Sequence, residues 1–329
     1  MQPLAREWNE LLAVSSAHLP FLRHEYLSAW WQTRGGGEWP AAQLALVLAY
    51  RGEELAGIAP LFYDRNRDGD PALLLLGSIE ISDYLDLICR PGDLPDFLAG
   101  LLDLLTASPD LPDWRVLDWH NLFEASPTLP VLQAEAEKRG WSYAQERSYH
   151  APSIPLTGDF ETYLAGIDKK QRHEIRRKMR RAEESRRGVR WTITREAAAL
   201  DADVEAFLSL MAQDAEKEKF LTPAMREQMK LACRAAFANG WLQLAFLEAD
   251  GQKAAAYLNF DYLDRIWVYN SGLDRRFMDL SAGWVLLGYL LQWANENGRA
   301  EFDFLRGDED YKYRFGALDR RLVRASLRR

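Results

Sequence analysis

Apolar residues along this chain change their period repeatedly, and each change marks an element. Within 20–34, Leu22, Tyr26, Leu27, Trp30 and Trp31 recur at helical spacing until Gly35-Gly36-Gly37 stops the helix. The apolar runs 44–50 and 58–63, joined through the turn at 51–54, predict a hairpin. Residues 72–78 predict a buried third strand, 94–106 an amphipathic helix and 114–119 a fourth strand.

The second half gives the same order. Helical segments at 203–218 and 223–238 precede a hairpin, 241–247 and 254–260 about a turn at 249–252. A third strand over 265–270 leads through a loop to a helix over 281–296, and Gly298 precedes a strand that opens at Glu301. This order, repeated without recognisable identity, predicts two copies of one α/β unit, divided as 1–150 and 151–329. Between the repeated elements lie a helix over 129–139, strand-like runs at 141–145 and 151–156, and a helix over 168–187. That last helix opens with Asp168 and Gln171 at capping-box spacing, and its only apolar face is the narrow stripe Ile167, Gln171, Ile175, Met179 and Ala182.

Charge changes the picture of that helix. The net charge is −8, yet residues 169–195 hold twelve Lys or Arg against three Glu. Such a run in an acidic protein is either a solvated face or a surface for phosphates, nucleic acid, an acidic membrane or the protein's own acidic side. The remaining composition, 48% hydrophobic and 27% charged, is that of an ordinary globular protein. No apolar run approaches the roughly 18 residues of a membrane span, so no transmembrane segment is expected. Met-Gln-Pro-Leu-Ala-Arg-Glu-Trp at the start lacks the pattern of a secretion signal, which makes a cytoplasmic location the expectation. Cys89 and Cys233 stand far apart without a second Cys or His at ligand spacing, so neither a disulfide nor a metal site is expected.

Candidate chemistry collects late in the chain. In the strand at 301, Phe302 and Phe304 share one face, with Glu301, Asp303 and Leu305 on the other, before Gly307 breaks it into a charged loop. Asp303, inside a sheet, is either a general base with a raised pKa or a structural acid bonded to the next loop. Lys312 and Arg314 alternate with Tyr311, Tyr313 and Phe315; they are a fixed cation for developing negative charge or partners of Asp308 and Asp310. The loop 272–283 offers Arg275 and Arg276 beside a helix start at Ser281, Ala282 and Gly283, which suits a phosphate, although many helices that open this way bind nothing. No nucleophile elbow, phosphate-binding P-loop, dinucleotide fingerprint or H-E-x-x-H motif competes, and His120 reads as structural.

Three segments together carry a resemblance: Lys169 to Arg181, Trp267-Val-Tyr-Asn-Ser-Gly272 running on to Leu280-Ser-Ala-Gly283, and Phe302 to Gly316. They are similar to the acyltransferases of the CelD/BcsL type, members of the GNAT superfamily related to the FemAB peptidyltransferases. The resemblance implies an α/β (α+β) protein with two tandem GNAT-like mixed sheets flanked by helices, the basic helical segment lying between the halves. It further implies a cofactor-free first copy on the acceptor side, and a second copy that binds acyl-CoA, such as acetyl-CoA, between its third and fourth strands. Arg275, Arg276, Ser281, Ala282 and Gly283 would hold the donor, while Arg172, Arg176, Arg306 and Arg314 would bind anionic parts of the substrate. Lys312 inherits the lysine at the reaction centre of Fem-like relatives; Asp303 would organise the nucleophile's proton, and Tyr269 or Tyr311 would protonate the leaving thiolate. One departure stands out: where CoA-dependent members carry Arg or Gln, Gly, then Gly or Ala, this chain has Met278, Ser281 and Gly283. The expected reaction is acyl transfer to an amine or hydroxyl of a sugar, a polysaccharide precursor or a similar acceptor. The alternatives are an aminoacyl-tRNA-dependent peptidyltransferase, with tRNA on residues 169–195, and a non-catalytic module for an anionic partner.

Overall fold

A computed structural model describes residues 2–329. In chain order the first elements are α1 (Gln2–Ala13), α2 (His24–Thr33), β1 (Gln43–Leu44), β2 (Val47–Arg51), β3 (Glu54–Ala59), β4 (Leu61–Arg65), β5 (Pro71–Leu75), β6 (Ile88–Cys89), α3 (Leu94–Ala107), β7 (Val116–Phe123), α4 (Thr128–Arg139) and β8 (Ser142–His150). There follow β9 (Ser153–Pro155), α5 (Phe160–Gly166), α6 (Lys169–Glu183), β10 (Arg190–Ile193), α7 (Ala197–Met211), α8 (Ala215–Phe220), α9 (Pro223–Ala238), β11 (Leu242–Ala249), β12 (Gln252–Tyr262) and β13 (Arg265–Leu273). The chain closes with α10 (Ala282–Glu296), β14 (Glu301–Asp303), α11 (Asp310–Arg314) and β15 (Arg321–Arg328).

The chain divides into two compact units, residues up to His150 together with Arg320–Arg329, and Ala151–Asp319. The last ten residues therefore depart from the expected 151–329 division. Leu322, Val323, Ala325 and Leu327 are apolar and buried, and β15 pairs antiparallel with both β7 and β8 inside the first sheet. That sheet has the order β1-β4-β5-β7-β15-β8, beside a three-stranded sheet β2-β3-β6. The hairpin β2-β3 forms as predicted, but the runs 44–50 and 58–63 each divide between the two sheets. Pro60, which cannot donate to a ladder, sits where β3 gives way to β4.

The second unit is one sheet, β10-β11-β12-β13-β14-β9, antiparallel except where β14 joins β13 in parallel. Helices α5, α6 and α10 cover one face through Leu164, Ile175, Met179, Ala182, Leu286 and Leu290. Helices α7 and α9 cover the other through Phe207, Leu208, Met229 and Cys233. Helix α6 ends short of the predicted 187. Asp168 caps it by accepting the amides of Lys170 and Gln171 at 2.9 and 3.2 Å, while the Gln171 side chain, in place of closing a capping box, accepts from Arg314 Nε at 2.9 Å. The charged segment read as a loop after Gly307 contains the short helix α11. Among the described residues no helix is long and apolar enough to cross a membrane, and no group of three or more His, Cys, Asp or Glu is placed to hold a metal. Both cysteines are buried free thiols, and burial pushes each up to about 12.

Candidate active site

Strands β13 and β14 pair only over Arg265–Trp267 and Glu301–Asp303. Beyond that point β13 continues to Leu273, whereas the other chain turns away. Leu305 adopts a left-handed φ of 57°, and the Asp303 carboxylate accepts its amide at 2.8 Å. A side-chain acceptor two residues back offsets the cost of that backbone conformation. The parting of the strands opens a cleft of about 320 Å³. Tyr257 of β12, Ser271 and Leu273 of β13, Tyr311 of α11 and Lys178 of α6 line it, together with Phe277, Met278 and the start of α10 from Ser281 to Trp284.

The start of α10 gives the cleft its polarity. Ser281, at the expected helix start, is left-handed (φ 54°) and its side chain makes no cap. The first backbone bond closing the helix runs from Val285 N to Ser281 O at 3.0 Å. The amides of Ala282, Gly283 and Trp284 precede it, at the positive end of a 15-residue helix. A Cβ at Gly283 would stand 2.6 Å from Leu273 Cδ2, so glycine keeps the wall open. Lys178 lies over the Trp284 ring, 4.1 Å from its centroid, and pairs with Glu174 at 3.3 Å.

Two phenols face the same space. Tyr257 and Tyr311 are driven up from their ordinary pKa by burial first, with the Glu309 carboxylate adding for both and Tyr257 adding for Tyr311. Both are therefore proton donors throughout the neutral range. Tyr257 was not singled out from the sequence, where it is one polar tip in the apolar run Ala254–Leu258. Lys178 was hidden among the other bases of α6, and only the packing of α6 on α10 distinguishes it.

Several expected site residues lie elsewhere. Tyr269, expected as a proton donor in the cleft, packs with the α7 and α9 side of the sheet and stacks on Phe260 at 5.3 Å. It is the extra residue of a bulge, since Leu258 pairs with Asn270 and Asn259 with Val268. Lys312, expected at the reaction centre, is 2% exposed and does not line the cleft. Its ammonium donates to Arg306 O at 2.8 Å and Gly307 O at 3.1 Å and pairs with Glu309 at 2.8 Å, tying up the 306–309 loop. Asp303 is fully buried and holds the turn at Leu305, the structural option of the two considered.

Of the donor-binding candidates, Ser281, Ala282 and Gly283 line the cleft. Arg276 is instead bound to Asp274 at 2.6 Å, and Arg275 lines a second, smaller pocket. Arg172 donates to Ala165 O at 3.3 Å and Arg176 pairs with Glu161, both toward α5. Arg314 lies over Trp284 at 4.7 Å, beside the cleft wall, while Arg306 enters through its carbonyl on Lys312. Much of the basic run is thus neutralised locally: Arg177, Lys178, Arg187 and Arg190 all have carboxylate partners. Lys169, Lys170, Arg180 and Arg186 remain exposed without one among the described residues.

Comparison with known proteins agrees with this fold. The sequence profile of the acetyltransferase (GNAT) domain matches residues 169–313. Among solved structures, FemX superposes with a TM-score of 0.69 at 11% identity, over 98% of this chain and 95% of its own. A C-terminal domain assigned to a lysylphosphatidylglycerol synthetase of Agrobacterium fabrum gives 0.58 at 10% identity, covering 100% and 92%. A tandem GNAT protein from the clavulanic acid biosynthesis pathway gives 0.50 at 15% identity, covering 98% and 94%. No curated protein matches the chain.

Proposed function

We propose that this chain, whose residues 169–313 match the GNAT acetyltransferase domain and whose fold is similar to FemX and to a tandem GNAT protein, transfers an acyl group from acyl-CoA to an amine or hydroxyl acceptor such as a sugar or polysaccharide precursor. The observation that carries this reading is the parting of β13 from β14 with the N-terminus of α10 set in the gap.

The residues present fit such a donor. Its phosphates would lie against the amides of Ala282, Gly283 and Trp284, with Lys178 as the nearby cation. Lys178 and the helix start replace the basic residue whose place in the loop is taken by Met278, which is 65% exposed. A bound thioester supplies the electrophilic carbonyl and the sulfur leaving group. Beyond Trp267 the edge of β13 has no pairing with β14, so backbone N–H groups there are free of that ladder and suited to an oxyanion. Tyr311 delivers a proton to the departing sulfur, with Tyr257 beside it. Asp303 and Lys312 act one step back, by fixing the loop that presents Tyr311.

Calorimetric titration with acetyl-CoA and longer acyl-CoAs tests this. Binding to the wild type and its loss in Gly283→Leu, which fills the cleft, are expected; absence of binding by every acyl-CoA overturns the reading.

One observation favours a second reading, an aminoacyl-tRNA donor: the exposed, uncompensated Lys169, Lys170, Arg180 and Arg186 lie on or just past α6, the helix that also supplies Lys178 to the cleft wall. Transfer RNA binding that weakens by about 0.7 to 0.9 log units per log unit of salt for each phosphate contact, and weakens further in Lys169→Glu/Lys170→Glu, would support it. Salt-independent or absent binding would sink it.

A further inference from the structure

The end of β13 has a pocket on each side. Besides the donor cleft there is a smaller one of about 150 Å³, lined by Gln213, Asp214, Lys217, Gly272 and Arg275, and the two share Ser271, Leu273 and Met278. Gly272 is the reason it exists. A Cβ there would come within 2.5 Å of Met211 N, so glycine alone lets the end of α7 pack directly on the strand. The chain leaving α7 then carries Lys217, on α8, to the strand end.

Lys217 is unusual among the lysines here. Its Nζ donates to Ser271 O at 2.7 Å, and among the described residues no carboxylate lies within ion-pair distance. Asp214, the nearest in sequence, is committed to capping α8 through the amides of Glu216 and Lys217 at 3.0 and 3.1 Å. Lys217 is half-buried in the wall of the smaller pocket, and its ammonium is bonded to Ser271, which lines both pockets.

We propose that the smaller pocket receives the acceptor and that Lys217 is the catalytic base that takes the proton from the attacking amine or hydroxyl. This rests on the acyl-CoA reading above. The acceptor's nitrogen or oxygen bonds to the acyl carbon, and the carbon–sulfur bond breaks. The acceptor's proton passes to neutral Nζ, and the sulfur takes a proton from Tyr311, which solvent restores. The charged groups that face Lys217 are Asp214, Glu309 and, from the loop before α10, Arg275. Burial lowers the lysine's pKa and outweighs the two carboxylates, which raise it, so the neutral amine becomes available at lower pH than for an exposed lysine.

The test measures thiol release from acetyl-CoA with glucosamine, glucose and ethanolamine as acceptor probes, in wild type, Lys217→Gln, Lys217→Arg and the neighbouring exposed control Lys219→Gln. Lys217→Gln should bind acetyl-CoA within about twofold of wild type, keep its melting temperature and lose about 100-fold in kcat. It should also lose the limb of the pH–rate profile that rises toward alkaline pH. Lys217→Arg, whose guanidinium stays charged, should be equally impaired, and Lys219→Gln unaffected. Transfer by Lys217→Gln within about threefold of wild type, or full activity in Lys217→Arg, overturns the assignment and leaves the donor reading standing. A wild type that neither binds acetyl-CoA nor releases thiol with any probe removes the donor reading and this assignment together.

Discussion

Each unit contains the same junction, two parallel strands that pair briefly and then part, and the two junctions end differently. In the first unit β5 and β7 pair at Ala72–Val116 and Leu73–Leu117. The chain between β5 and β6 then folds back into the space beyond. Asn121 donates to the carbonyls of Ile79 and Ser82 at 2.9 and 2.8 Å and accepts the amide of Leu85 at 2.9 Å through its backbone carbonyl. Tyr26 and Trp39 hold Ile81 O and Ser78 O from the other side, and Ile79, Ile81, Tyr84 and Leu85 are buried. In the second unit the corresponding connection makes two short 3₁₀ turns, kinked at Phe277, and enters α10 directly after them, so the space stays open and receives a helix terminus. The same strand geometry is thus a packed core in one copy and a cleft in the other, and the segment that leaves the third strand decides between them.

The buried carboxylates beside the two junctions differ in the same sense. Asp118, in Leu117-Asp118-Trp119, is bound by Arg324 at 2.6 and 2.8 Å and by Asn66 at 2.7 Å, with His120 Nε2 3.2 Å away. Asp303, in Phe302-Asp303-Phe304, serves the turn at Leu305. The largest expected effect comes from breaking the first arrangement. Asp118→Asn should cost about 3 kcal/mol of first-unit stability, read by urea unfolding, because Arg324 is left without its buried partner. Burial opposes ionisation of Asp118, but His120 and Arg324 prevail and hold it far below the usual carboxylate range. A depressed folded pKa means that this contribution is fully present above about pH 5 and is lost as pH falls through the unfolded value near 4 and below. The pH dependence of unfolding should flatten in the variant.

Next in size, Tyr311→Phe should lower kcat about 100-fold in the thiol-release assay while leaving donor affinity unchanged, because only the proton donor of the open junction is removed. A KM effect with unchanged kcat would make the phenol a binding group instead. Asn121→Ala should loosen the filled junction by about 2 kcal/mol, since two buried carbonyls lose their donor, without altering acetyl-CoA affinity. A change in that affinity would show that the two junctions communicate. The smallest effect is a gain. Met278→Arg places a cation at the mouth of the open junction and should tighten acyl-CoA binding several-fold, by up to about 1 kcal/mol, a gain that salt reduces.

Much of the architecture was legible in the sequence because period and turn chemistry are local. The hairpins, the helix of the basic run and the order of elements in both halves come from residue spacing alone. The splitting of strands around Pro60 was readable in principle, since proline marks a ladder's interruption. The return of 321–328 to the first sheet was not, because an alternating strand carries no record of which partner it will pair with. Of the residues expected at the site, Ser281 to Gly283 and Tyr311 line the cleft, whereas Tyr269 and Lys312 do not. The bulge at Tyr269 depends on the register of β13 against β12, and the two carbonyls and one carboxylate that hold Lys312 depend on how the 306–309 loop folds back on α11; no local pattern of residue types encodes either.

The sequence by itself determined that there are two α/β units, that the second carries the charged and aromatic loop, and that a glycine-containing helix start precedes that loop in the chain. Tertiary structure decided which side chains meet: Lys178 from α6 and Tyr257 from β12 share the cleft, and Lys217 from α8 lines the smaller pocket next to it, although all three are far apart along the chain. Periodicity fixes which face of an element a residue occupies; only the packing of one element on another fixes what that face meets.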